Sequence, residues 1–172
     1  LFRSTSTYSK RVSLLYSPLV HHWPGSEIVR QGKKDPSLMM IIEIKPVKSQ
    51  EKENEIVAKT IRMVQGMKLD SQSEFISFSL NVCKEIKKVE PKFKVQYLNG
   101  ELSPDQIKAE GLDGLDYHYS VFQKNPAWIQ EAKALGLITN SWTVNDVKIY
   151  NELKSQGIEF ITTNIPDQLK GK

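Results

Sequence analysis

One strand-like run ends on a pair of side chains that could do chemistry. Residues 38–42, Leu-Met-Met-Ile-Ile, lead straight into Glu43, Ile44, Lys45 and Pro46. On an extended strand, residues two apart share a face, so Glu43 and Lys45 project together while Ile44 points the other way. A carboxylate so placed is a hard oxygen ligand for a divalent cation. An ammonium beside it is a point charge for phosphate. Together they suit a phosphate ester held with a metal ion. The plain alternative is a salt bridge at a strand end, and the pair alone favours that simpler reading.

The elements that must carry these side chains are legible from residue 35 onward. Strands are predicted at 38–44, 74–78, 92–98, 114–117, 137–142 and 159–162. Helices fall between them. The longest spans 50–67, with Ile56, Lys59 or Thr60, Met63 and Met67 near one stripe. Others are predicted at 80–89, 126–135, 145–156 behind an Asn145 cap, and 166–170. Ser103-Pro104 opens a short helix that Gly111 closes, as a capping serine with proline at the first helical position should. Strands alternating with helices argue for parallel βαβ units. No G-x-G-x-x-G or G-x-x-x-x-G-K-[ST] follows any strand, so the nucleotide-binding sheets lose their main support. The expected fold is a (β/α)8 TIM-barrel type. A closed barrel of this kind takes about 250 residues, so this chain of 172 reads as one truncated to about six β/α units. Such a sheet would leave two edges exposed, and exposed edges invite self-association.

Residues 1–32 read differently from the barrel domain expected over 33–172. They are rich in Ser and Thr, hold no sustained period, and begin at Leu1 rather than Met. We read them as an irregular, aberrant or disordered segment of a fragment or processed product. Of 24 Lys and Arg and 20 Asp and Glu, residues 1–35 carry six and two, leaving eighteen of each beyond. A body so balanced lacks the basic stripe of a nucleic-acid binder. The longest apolar run, five residues, is far short of the roughly 18 that a membrane span needs. Cys83 is the single cysteine, excluding an internal disulfide; its helical position suits the core better than nucleophilic chemistry.

In parallel barrels the chemistry sits at the C-terminal ends of the strands. There the sequence places Glu43 and Lys45, then Phe78, then Tyr97 and Asn99, then His118 and Tyr119, then Trp142, and last Asn164. His118 is a candidate substrate contact. Asn164 follows the final strand, where barrel phosphate sites often form. His21 and His22 are adjacent, so an extended chain would point them apart, and surface histidines are the simpler reading.

The stretches "IIEIKP", "VQYLNGELSPDQIKAEGLDGLDYHYS", "SWTVND" and "EFITTNIP" together resemble the glycerophosphodiester phosphodiesterase family over residues 30–170. The resemblance implies a (β/α)8 barrel. It implies hydrolysis of a small-molecule glycerophosphodiester to glycerol 3-phosphate and an alcohol, with Ca²⁺ or Mg²⁺ as cofactor. It makes Glu43 a metal ligand, Lys45 a phosphate contact, and Trp142 and Phe78 pocket-lining residues. The family's His-Arg-Gly, its Glu-x-Asp and its His-Asp do not occur ahead of Glu43. No catalytic histidine is matched, so activity of the chain alone is expected to be impaired. The alternative is a non-catalytic module that binds a phosphate ligand.

Overall fold

Strands that bury both faces need apolar side chains on both, and β3 (Met39–Ile44) has them. Met40, Ile42 and Ile44 pack outward with Val57, Ile61 and Val64 of α2 (Gln50–Gly66). Ile41 points into the barrel, where it joins Ile76 and Leu98. The same alternation runs through β4 (Ser73–Ser77), β5 (Lys94–Tyr97), β6 (Gly114–His118), β7 (Ile138–Trp142) and β8 (Phe160–Thr163). The computed structural model describes residues 2–4, 11–16 and 27–169.

All six predicted strands are present, with ends shifted by no more than two residues. They run parallel, each beside the next. Two more strands lie in the stretch that carried no legible pattern. β2 (Arg11–Tyr16) pairs parallel with β3, Tyr16 opposite Ile44. β1 (Phe2–Ser4) runs antiparallel between β2 and β8 and closes the barrel. The two edges expected to be exposed, at β3 and β8, are therefore both paired, which removes the sheet-edge basis for self-association. With α1 (Glu27–Lys34) following β2, the described residues hold seven β/α units rather than six.

The helices form as their caps dictate, with three corrections. In α2 the buried stripe is Glu53, Val57, Thr60, Ile61 and Val64, while Ile56, Met63 and Met67 flank it. An additional helix, α5 (Tyr119–Lys124), directly follows β6, ahead of α6 (Trp128–Ala134). α7 (Val147–Ser155) is capped by Asp146, whose carboxylate accepts from the Lys148 and Ile149 N–H groups, and not by Asn145. α3 (Leu80–Val89) spans the predicted residues behind a Ser79 cap. α4 (Pro104–Ala109) has the full capping box between Ser103 and Gln106. α8 (Pro166–Leu169) ends the described chain.

The barrel interior is not wholly apolar. Gln96 donates to Glu74 (3.2 Å), and Asn140 donates to Asp116 and Thr162. Crowding there explains Gly114: a Cβ at this position would come within 2.8 Å of the Ile138 Cβ and 3.1 Å of the Gln96 Cγ.

Candidate functional site

Seven strands run the same way, so their C-terminal ends share one rim. There Lys45 Nζ lies 2.7 Å from Glu43 Oε1. The Glu43 side chain keeps 12% of its surface exposed and that of Lys45 keeps 48%, so the ammonium stands on the open side of the pair. Glu43 sits opposite Ile76 in the β3–β4 register, and Lys45 and Phe78 each lie two residues further toward the rim. The pair and the Phe78 ring are thus neighbours in the sheet.

Phe78 meets Trp142 edge-to-face at 5.7 Å between centroids. Both pack on the interior cluster of Ile41, Ile76 and Leu98. The Trp142 indole is pinned from behind, its Nε1–H donating to the Asp116 carbonyl oxygen at 2.7 Å. His118 completes the wall, 5.3 Å from Trp142 and 4.2 Å from Tyr119. Its Nδ1 accepts the Ser120 N–H at 3.3 Å and lies 2.8 Å from the Ser120 hydroxyl. With Nδ1 occupied as an acceptor, the neutral ring carries its proton on Nε2. Phe78, His118 and Trp142 are thus brought together, as are Glu43 and Lys45. Asn164 follows β8 with its side chain exposed, and its backbone N–H donates to Asn145 Oδ1 at 2.9 Å.

Two residues that sequence reasoning missed hold this rim in place. The buried Ser77 hydroxyl donates to the Ile44 carbonyl at 2.6 Å, fixing the chain just before Lys45. The Glu53 carboxylate, on a residue only 4% exposed, accepts from Val47 N–H (3.3 Å), Ser79 Oγ (2.9 Å) and Asn81 Nδ2 (2.8 Å). It clamps the loop after Lys45 to the loop after Phe78. A signal existed: Glu53 stands one turn before Val57 and two before Ile61 on the buried stripe, where an acid is out of place unless it has partners.

Cys83 is fully buried, its Sγ within 3.8 Å of the Ser77 carbonyl oxygen, and burial pushes the thiol up from its ordinary range. It is a core residue. Tyr97 points outward from β5 and donates to Glu101 at 2.5 Å, so it braces the loop rather than lining the mouth. His21 and His22 lie outside the described residues.

A divalent cation needs several oxygen ligands, six to eight for Ca²⁺. Among the described residues no three His, Cys, Asp or Glu side chains come together in a cluster able to hold a metal ion. Glu43 brings one carboxylate, and one of its oxygens already faces the Lys45 ammonium. The described residues do not by themselves make a cation site.

The acid–ammonium pair and the aromatic wall stand at the C-terminal rim, the end at which β/α barrels as a class carry their ligand chemistry. A profile of the glycerophosphoryl diester phosphodiesterase family matches residues 25–168. The chain belongs to that family. Among solved structures it is similar to a glycerophosphodiester phosphodiesterase from Parabacteroides distasonis, with 39% identity and a TM-score of 0.80, over 83% of this chain and 60% of that one. A phosphodiesterase from Oleispira antarctica, in complex with the product sn-glycerol-3-phosphate, shares 21% identity at a TM-score of 0.65, over 77% of this chain and 54% of that one. A glycerophosphodiester phosphodiesterase from Agrobacterium tumefaciens shares 16% identity at a TM-score of 0.61, over 78% and 55%. The chain thus spans a little over half the length of these structures. Comparison with curated protein sequences gave no match. No helix among the described residues is long and apolar enough to cross a membrane.

Proposed function

We propose that the rim formed by β3, β4, β6 and β7 binds the glycerol-phosphate part of a glycerophosphodiester. The observation that carries this reading is the placement of Lys45, half exposed, beside the Phe78–Trp142 wall at the strand ends. Family membership supports it, as does the product sn-glycerol-3-phosphate in the Oleispira relative. In this reading the Lys45 ammonium contacts the phosphoryl oxygens and the aromatic wall packs against the glycerol carbons. The His118 Nε2–H and the Asn164 side chain supply further polar contacts. By resemblance the family's reaction is cation-dependent hydrolysis with Ca²⁺ or Mg²⁺, for which Glu43 would be one ligand. That ion would neutralise charge on the phosphoryl group.

A second reading follows from one observation: the sequence has no His-Arg-Gly, and no Glu-x-Asp precedes Glu43. Proton transfer to and from a phosphodiester calls for positioned acids and bases, and none of the family's matched motifs supplies them here. We therefore expect the chain to bind ligand but turn it over negligibly.

The test is calorimetric titration of the chain with sn-glycerol 3-phosphate, alongside an assay of glycerol 3-phosphate release from glycerophosphocholine with Ca²⁺ or Mg²⁺. Saturable binding that Lys45→Ala removes, with negligible release, is the expected outcome. No heat at millimolar ligand would overturn the binding site. Robust cation-dependent release would overturn the binding-only reading and leave the enzymatic one.

A further inference from the structure

We propose that in this chain Glu43 is the internal counter-ion of Lys45, and that a phosphate ester binds here without a divalent cation, by displacing Glu43 from the Lys45 ammonium. The proposal rests on the reading of the rim as a phosphate-ester site and adds how that site is controlled.

Three observations carry it. First, the ion pair is made: Lys45 Nζ and Glu43 Oε1 are 2.7 Å apart, with Glu43 on the sheltered side and Lys45 on the open side. An anion entering the mouth meets the ammonium first and the carboxylate behind it. Lysine has three N–H donors, so one contact to Glu43 leaves the others free to turn toward a phosphoryl oxygen. Second, the described residues assemble no cation site around Glu43. The positive charge identified beside this carboxylate is the ammonium of Lys45, one residue past the end of the same strand. Third, Lys45 does not depend on Glu43 for its place. The Ile44 carbonyl before it is held by Ser77, and the Val47 N–H after it is held by Glu53. Pro46 between them fixes its own φ and biases Lys45 toward extended backbone. The backbone that carries the ammonium therefore stays at the rim when Glu43 is neutralised.

These facts predict an unusual sign. A carboxylate that ligates a bridging metal helps an anion bind, so neutralising it weakens binding. A carboxylate that competes with the anion for one ammonium opposes binding, so neutralising it strengthens binding. For a unit charge removed at a partly solvated site, the expected gain in affinity is about tenfold, falling as salt is raised.

The experiment is calorimetric titration of the full chain with sn-glycerol 3-phosphate, in chelator and again in millimolar Ca²⁺ or Mg²⁺. The wild type, Glu43→Gln and Lys45→Ala are compared, with thermal melts to show that each is folded. We expect wild-type affinity to change less than about twofold between chelator and cation. We expect Glu43→Gln to bind tighter and Lys45→Ala not to bind. Wild-type binding that requires the cation overturns the proposal while leaving the phosphate-ester reading intact, and this arm needs no variant to fold. Folded Glu43→Gln that binds more weakly overturns it as well. Heat from Glu43→Gln but none from the wild type overturns it too, because the ligand then fails to displace Glu43 from the ammonium. No heat from either, with both folded, refutes this proposal and the underlying reading together.

Discussion

Replacing Glu53 by alanine should loosen the rim through a residue that never touches ligand. The carboxylate sits 4% exposed between two loops and accepts three hydrogen bonds, at 2.8, 2.9 and 3.3 Å. Hydrogen bonds to a charged group contribute about 1.5–3 kcal/mol each, which for the two short ones sums to about 3–6 kcal/mol. Two facts lower that figure. Asn81 Nδ2 keeps a second acceptor, Asn54 Oδ1, at 3.1 Å. Ser79 and Asn81 are half-buried, so water can take up part of the loss. About 2–4 kcal/mol remains as the expected destabilisation. At this chain length that lowers Tm by about 5–15 °C. The effect should also be local: the Val47 amide proton loses its acceptor and should exchange faster than those inside β3. Thermal melting and amide hydrogen exchange measure the two parts. A Tm within about 2 °C of wild type, or a Val47 amide that exchanges as before, would refute the claim that Glu53 clamps the loops.

Two further outcomes follow from buried titratable groups. Cys83 is fully buried and its thiol is pushed up, so little thiolate is present near neutral pH. Alkylation of the native chain, followed by mass spectrometry, should be slow until denaturant is added; rapid native labelling would contradict the packing of α3. Burial pushes the Tyr117 and Tyr97 phenols up, Tyr97 also through the Glu101 carboxylate that accepts its hydrogen bond. A raised folded value means the neutral phenol is favoured in the folded state. That contribution is complete below the unfolded phenol's pKa of about 10 and is lost as pH rises above it. Chemical denaturation midpoints should therefore fall in strongly alkaline buffer, and less so in Tyr117→Phe; equal slopes for the two proteins would count against this.

Much of the barrel was legible because its signals are local. A βαβ unit announces itself by an apolar run, a cap and a glycine stop, and Ser103, Gly111, Gly136 and Gly157 all sit where such punctuation puts them. These three glycines follow the ends of α4, α6 and α7 and adopt the positive φ, between 70° and 82°, that L side chains rarely adopt. β1 and β2 escaped because neither carries a period: three residues are too few, and Arg-Val-Ser-Leu-Leu-Tyr interrupts its apolar run only once. Their pairing with β8 and β3 comes from closure of the sheet, a contact between distant parts of the chain.

The pairing of Glu43 with Lys45 was determined by the sequence itself, since a strand puts residues two apart on one face wherever it lies. Residue type at the strand ends also placed Phe78, His118 and Trp142 at one rim, given a parallel barrel. What surrounds those side chains was decided only by the tertiary structure. Trp142 is held by the Asp116 carbonyl, Ile44 by Ser77, and the loop after Lys45 by Glu53 on another element. These are hydrogen bonds across strands and helices, set by which elements neighbour one another and at what register. Local spacing carries no information about them, which is why the charged pair could be read from the chain and the supports that hold it could not.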